Sequence, residues 1–348
     1  MTALWIDHHR PRHLSELSIQ PVANDILKNI SSSFSFPHLL FCGPPGSGKK
    51  TRVLAFLREL FHTDFHRLRS EYRTITEGDK NVEIQVVSSD YHVELTPADA
   101  GNNDKRVISF FLKEIAASQC VGNYPVKVIV INEAHRLSKL AQQALRRTME
   151  KYARTCRLIL VADSLTQIME PVRSRCLIVR TPRVPRQDIK DVLCQISAME
   201  SFQVEDNLLN QVVDESDGNL RRGINILESL SLKKKSGNIS SVIPEWEKYT
   251  DDLCKIIIEE QLSPDTMKKI RVHLYELLVH CVPPTEIFRR LLKGMMNRVD
   301  LTLGPKICTA AAEYEARMRS GSKPIFHLEA FVARFICIYK EYLAEISG

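Results

Sequence analysis

Residues 36–61 read "FPHLLFCGPPGSGKKTRVLAFLRELF". The apolar run before the glycines has the length and continuity of a buried strand, and the segment after them sets Val53, Leu57, Leu60 and Phe61 on one helical face. Strand, glycine loop and helix form the context in which G-x-x-x-x-G-K-[ST] binds phosphate, because the loop's backbone N–H groups converge on an anion at a helix N-terminus. Gly43, Pro44, Pro45, Gly46, Ser47, Gly48 and Lys49 supply the loop, with the Lys49 ammonium directed to the β and γ phosphates. The last position departs from the pattern. Lys50 stands where a Ser or Thr hydroxyl would hold Mg²⁺, and Thr51 follows it.

Two further apolar runs, "VKVIVIN" at 126–132 and "CRLILVAD" at 156–163, also read as buried parallel strands. The helix between them is expected to turn Leu137, Leu140, Ala144, Leu145, Met149 and Tyr152 inward. Strands alternating with helices predict an α/β domain, a mostly parallel sheet covered by helices, over residues 1–182. Pro182 and Pro185 then punctuate a boundary, and "RQDIKDVLCQISAME", "EDNLLNQVVDES" and "NLRRGINILESLSL" predict a small three-helix domain over 183–235. "KKKSGNISS" at 233–241 reads as a linker or exposed loop. Residues 236–348 are expected to be all-helical, with Leu328, Phe331, Val332, Phe335 and Tyr339 in a core or interface stripe.

A hydrolysing site needs an acidic residue at the end of a neighbouring strand to hold Mg²⁺ through water. In "VIVINEAH" that place is taken by Asn132, while Glu133 keeps the water-activating position. Lys50 and Asn132 together remove a hydroxyl and a carboxylate and add an ammonium where a dication would sit. The expectation is a site that binds ADP or ATP and has lost the geometry of phosphoryl transfer, with Mg²⁺ doubtful there. Compensation by Thr51, or a pocket that holds nothing, are the alternatives on this motif.

The 348 residues carry 48 Lys and Arg against 42 Asp and Glu, a formal charge of +6, which permits a nucleic-acid partner without requiring one. No apolar run approaches a membrane span, and "MTALWIDHHRP" has no signal-peptide core, so an intracellular protein is expected. The nine cysteines form no C-x-x-C pair and read as reduced thiols, mostly buried. His8 and His9 are adjacent with no carboxylate or cysteine at ligand spacing, so no metal is expected there.

The ordered set "LWIDHHRPRHLSEL", "GPPGSGKKT", "INEAH", "QQALRRTMEKY", "EPVRSRCLIVR" and "DGNLRRGINILES" resembles the successive boxes of the AAA+ clamp-loader small subunits of the replication factor C family. "HLEAFVARFICIYKEY" extends the resemblance into the C-terminal region. It implies a helical lid after the nucleotide-binding domain, then a collar domain that joins five different subunits in a ring. It also implies ATP at subunit boundaries, a ring-shaped sliding clamp and primer-template DNA as partners, roles in DNA replication and repair, and a nuclear location. Matched residue by residue, Arg175 corresponds to an arginine finger offered to a neighbour's ATP, Arg221 to the lid's sensor arginine, and Ile6, Arg10 and Pro11 to the adenine-packing segment. His9 replaces the usual tyrosine, and Asp163 stands at a sensor position where a neutral asparagine is usual. A catalytically active ATPase subunit, or a AAA+ DNA helicase or remodeller, is the competing expectation.

For DNA contact the outward cations are Arg106, Lys113, Lys139, Arg146 and Arg147. Each alone is ordinarily a solvated charge. With no aromatic interleaving, backbone tracking without sequence readout is expected.

Overall fold

A computed structural model describes residues 4–32, 35–62, 69–77, 80–89, 91–117, 126–235, 242–259, 263–321 and 323–347. It divides into two compact units, Met1–Val242 and Ile243–Gly348. Residues 236–241 of the expected linker lie outside the described residues, and 233–235 belong to a helix.

In the first unit, helix α1 (Pro21–Ser31) precedes strand β1 (His38–Cys42), the glycine loop and helix α2 (Lys49–Phe61). Strands β2 (Arg69–Glu77), β3 (Lys80–Ser88) and β4 (His92–Leu95) follow. Then come β5 (Lys127–Ile131), helix α3 (Lys139–Lys151), β6 (Cys156–Ala162) and β7 (Cys176–Arg180). They form one seven-stranded sheet in the order β2-β3-β4-β5-β6-β1-β7. β1 lies one strand in from the edge, parallel to β6 on one side and to the edge strand β7 on the other, so the glycine loop leaves the sheet between two strands whose ends can carry site residues.

The alternation of β1 sends Leu40 into a core with Ile129, Leu160, Leu145 and Met149. Leu39 and Phe41 enter the opposite core with Val53, Phe56, Leu57 and Ile159. The sheet is thus covered on both faces, as the unbroken apolar runs require. Each such buried side chain contributes about 1.5–3 kcal/mol relative to exposure.

The sheet is mostly parallel, as expected, with an antiparallel edge in which β2 pairs with β3, and β3 with β4; two other expectations are corrected. The hairpin contains no continuous apolar run, only the period-two set Val82, Ile84 and Val86 on its buried face. Leu140 is exposed, and Gln142 is buried in its place. The Gln142 amide is consumed by backbone: it donates to Leu137 O and Gln167 O at 3.0 Å and accepts from Met169 N at 2.8 Å. Finally, among the described cysteines only Cys42, Cys156 and Cys254 are buried, whereas Cys194, Cys281, Cys308 and Cys337 are exposed.

Helices α4 (Arg186–Met199), α5 (Asp206–Ser216) and α6 (Leu220–Lys235) complete the unit. Ile189, Leu193, Leu209, Val212 and Leu227 form their core, against which Trp5 and Ile6 of the amino-terminal segment pack. The second unit consists of α7 (Glu245–Glu259), α8 (Pro264–Val279), α9 (Pro284–Met296), α10 (Gly304–Ser320) and α11 (Pro324–Ser347). Leu328, Phe331, Val332 and Phe335 of α11 lie in its core and Tyr339 is packed against it, as the helical spacing predicts. Among the described residues no helix is long and apolar enough to cross a membrane.

Candidate nucleotide site

Gly46 and Gly48 adopt φ of +75° and +83°, the left-handed conformation in which glycine carries no Cβ penalty and successive N–H groups can face one anion. Gly43 is needed for a different reason. A Cβ there would lie 1.8 Å from Thr181 O, because Thr181, just past β7, donates its N–H to Cys42 O at 2.8 Å. Its hydroxyl lies 3.2 Å from that of Ser47. From the lid side, Asn219 Oδ1 would sit 1.8 Å from a Cβ on Gly46 while it accepts from Arg222 N at 3.1 Å. The loop is therefore clamped between the end of β7 and the start of α6.

Beside the loop is a cavity of about 510 Å³ whose wall includes Ile6, Arg10, Pro11, Gly46, Ser47, Gly48, Thr51 and Arg221. These expected residues come from the amino terminus, the glycine loop, α2 and α6. Gly43, Pro44, Pro45, Lys49 and Lys50 are not part of the wall. Ile19, Val192 and Met199 add apolar wall, and Arg52 adds a charge that sequence reasoning missed.

Arg52 is 1% exposed. It donates to Asn24 Oδ1 at 3.1 Å, Ser47 O at 2.8 Å and Ile19 O at 2.7 Å, tying α1 and its approach to the glycine loop. Burial pushes its pKa down to about 10, so it remains a cation at neutral pH. The signal was present in the sequence: Arg52 shares the apolar face of α2 with Phe56, and a cation there must be satisfied internally.

Lys49 Nζ donates to Gly43 O at 2.6 Å and Pro44 O at 2.8 Å, and lies 2.8 Å from Asp163 Oδ1. The carboxylate at 163 is thus matched by an ammonium, and His135 Nε2 approaches its other oxygen at 3.7 Å. Two strands further along the sheet, Lys50 is ion-paired with Glu94 of β4, and Asn132 Nδ2 donates to the same Glu94 oxygen at 2.6 Å. Glu133, at φ +49°, is bound to Arg136.

The two positions that would hold Mg²⁺ therefore present an ammonium and an amide N–H aimed at a shared carboxylate. A hard dication needs oxygen ligands there, so these residues do not fit Mg²⁺. They do fit a nucleotide: the glycine nest and a cavity with apolar walls and arginines match a base joined to phosphates.

Arg175 stands apart from the cavity. It donates to Pro171 O at 2.6 Å and approaches Glu150 Oε1 at 2.5 Å. Glu150 also accepts from Arg146 Nε at 3.1 Å, and the Arg146 hydrogen bond, ahead of the Arg175 charge, holds its carboxyl below the usual range. Arg146 and Arg147 share the wall of a second concavity, about 370 Å³, with Glu150 and Pro171. Lys139, the first residue of α3, and Lys113 are exposed, whereas Arg106 is half-buried.

Comparison with known proteins joins these features. Residues 246–343 match the model of the replication factor C subunit 3 C-terminal domain, and 191–232 match the RCF1/5-like AAA+ ATPase lid. Residues 19–185 match a DNA polymerase III delta subunit model. The human protein named replication factor C subunit 3 is 40% identical, with 99% of this chain and 98% of that protein covered. The chain belongs to the replication factor C family. Among its other relatives, "probable replication factor C subunit 3" of Dictyostelium discoideum is 42% identical over 97% of this chain and 99% of that one. Replication factor C subunit 5 of Schizosaccharomyces pombe is also 42% identical, over 97% and 96%. Lys50 of the loop and Asn132 thus occur in a chain similar to proteins named replication factor C subunits 3 and 5. In fold alone the chain is like the Thermotoga maritima RuvB Holliday junction branch migration motor, with a TM-score of 0.50, 16% identity, and 76% and 85% of the two chains covered. The replication factor C architecture accounts for the three parts: an AAA+ domain on a mixed sheet, a helical lid and a helical C-terminal domain.

Proposed function

We propose that this chain is a non-hydrolysing, or weakly hydrolysing, nucleotide-binding subunit of a heteropentameric, ATP-dependent loader of DNA sliding clamps. The observation that carries this reading is the convergence of Lys50 and Asn132 on Glu94, which puts two N–H donors where catalysis needs metal ligands. ADP or ATP is held by the glycine loop, the segment with Ile6, Arg10 and Pro11, and Arg221 of the lid. When bound, the nucleotide supplies a phosphate group for the loop and a base for the apolar wall. The chain's own residues bind and orient it, and no phosphoryl transfer is routed through them.

Arg175 serves a neighbouring site. Its guanidinium is held at the protein surface by Glu150 and Pro171 O, and a permanently charged planar fork suits a transferring phosphate. A finger in trans is worth on the order of 10³ to 10⁵ in rate. In the assembled ring the chain takes part in placing a ring-shaped clamp on primer-template DNA during nuclear replication and repair. Arg106, Lys113, Lys139, Arg146 and Arg147 are the candidate phosphate contacts.

The test is the DNA- and clamp-stimulated ATPase rate of the reconstituted ring with Lys49→Ala or Arg175→Ala in this subunit. Arg175→Ala is expected to remove a full site's share of turnover, and Lys49→Ala to leave turnover nearly intact. Loss of that share with Lys49→Ala, reproduced by Glu133→Gln, would make the chain an active ATPase and overturn the proposal.

A further inference from the structure

The histidine pair that has no ligand-spaced partner in the sequence gains one in the fold. Glu200, immediately after α4, brings its Oε1 to 2.6 Å from His9 Nε2 and 3.6 Å from His8 Nδ1, and those two ring nitrogens are 3.4 Å apart. His8, His9 and Glu200 form a cluster of potential metal ligands among the described residues. We propose that His8 Nδ1, His9 Nε2 and Glu200 Oε1 bind a late first-row divalent cation, zinc above all, as a clasp between the amino-terminal segment and the end of α4.

The dimensions fit. Ligands at about 2.0–2.1 Å from a tetrahedral zinc ion are separated by roughly 3.3–3.4 Å. Two edges of the triangle are already close to that length. The third is a hydrogen bond, and it opens by roughly 0.7 Å when the metal replaces the shared proton. Two imidazoles and one carboxylate suit zinc, copper or nickel, whereas magnesium and calcium require more oxygen. Three protein ligands leave the fourth position to water.

The ligands are held before any metal arrives. His8 ends the short helix Trp5–His8, and His9 N–H donates to Trp5 O at 3.0 Å. Trp5 N donates to Glu228 Oε2 of α6 at 3.3 Å, and the Trp5 ring packs edge-on against Phe202. Glu200 N–H donates to Ile196 O at 3.0 Å. The neighbouring Arg10 guanidinium is paired with Asp7 at 3.4 Å, which offsets its charge. Because His8 and His9 also line the large cavity, the clasp would fasten its rim.

The test uses untagged full-length chain, stripped with a chelator and titrated with zinc chloride. One equivalent is expected to bind, and His8→Gln or Glu200→Gln to weaken it by about tenfold or more. His8 is 66% exposed, so its substitution leaves the fold intact and keeps the comparison valid. Zinc should raise the melting temperature of the wild-type chain and leave that of the His8→Gln, Glu200→Gln double variant unchanged. Cobalt in the site should show visible bands without a thiolate charge-transfer band. Equal zinc uptake by wild type and double variant, or a thiolate spectrum, would assign the metal to the exposed cysteines and overturn the proposal. So would no uptake at all.

Discussion

Lys50 is ion-paired with Glu94, a carboxylate that the β4–β5 pairing places beside Asn132. The pair neutralises internally the charge that the altered phosphate loop introduces, and it occupies the metal side of the site with a tethered cation. ADP affinity of the full-length chain is therefore expected to be the same within about twofold in Mg²⁺ and in EDTA, measured by isothermal titration. A tenfold loss in EDTA would mean that a metal ion still bridges protein and phosphates.

Gly43→Ala tests the contact between the glycine loop and β7. A methyl group would meet Thr181 O at 1.8 Å, and a backbone carbonyl cannot swing aside as the end of a side chain could. The variant should lose about 1–3 kcal/mol in urea unfolding, typical of overpacking, together with most nucleotide binding. Unchanged stability would show that β7 yields.

His92 gives the fold an acid sensitivity. The residue is 1% exposed, with Nδ1 2.6 Å from Ser89 Oγ. Burial pushes its pKa down to about 4, against the opposing pull of Glu94 and in the same direction as Lys50. Between 6.5 and 4 the unfolded chain binds the proton and the folded chain does not, so stability is fully present above 6.5 and is lost as pH falls towards 4. The loss amounts to about 3 kcal/mol. Urea midpoints measured across that range should fall steeply for the wild type and less steeply for His92→Gln, where His38, also lowered by burial, adds a smaller slope of the same sign. Parallel slopes would remove His92 from the account.

Elements buried on both faces were legible because burial on both faces leaves an unbroken apolar run, as in β1, β5 and β6. The lid helices were legible from their spacing and from the prolines before them. The β2–β3 hairpin escaped because one of its faces is charged, although Val82, Ile84 and Val86 carried the period-two signal. Leu140 was assigned inward because a leucine usually outranks a glutamine for burial. The backbone groups of Leu137, Gln167 and Met169 reverse that order by needing an amide.

The sequence alone determined the glycine loop, its strand and helix, the order of the three parts, and the absence of a hydroxyl at 50 and a carboxylate at 132. Those features depend on neighbours within a few residues. Only the tertiary structure decided where the resulting charges go: Lys50 to Glu94, Lys49 to Asp163, Arg175 to Glu150 and His9 to Glu200. The physical reason is that a charge is satisfied by whatever group strand register and helix packing bring within about 3–4 Å, and no local spacing encodes that partner.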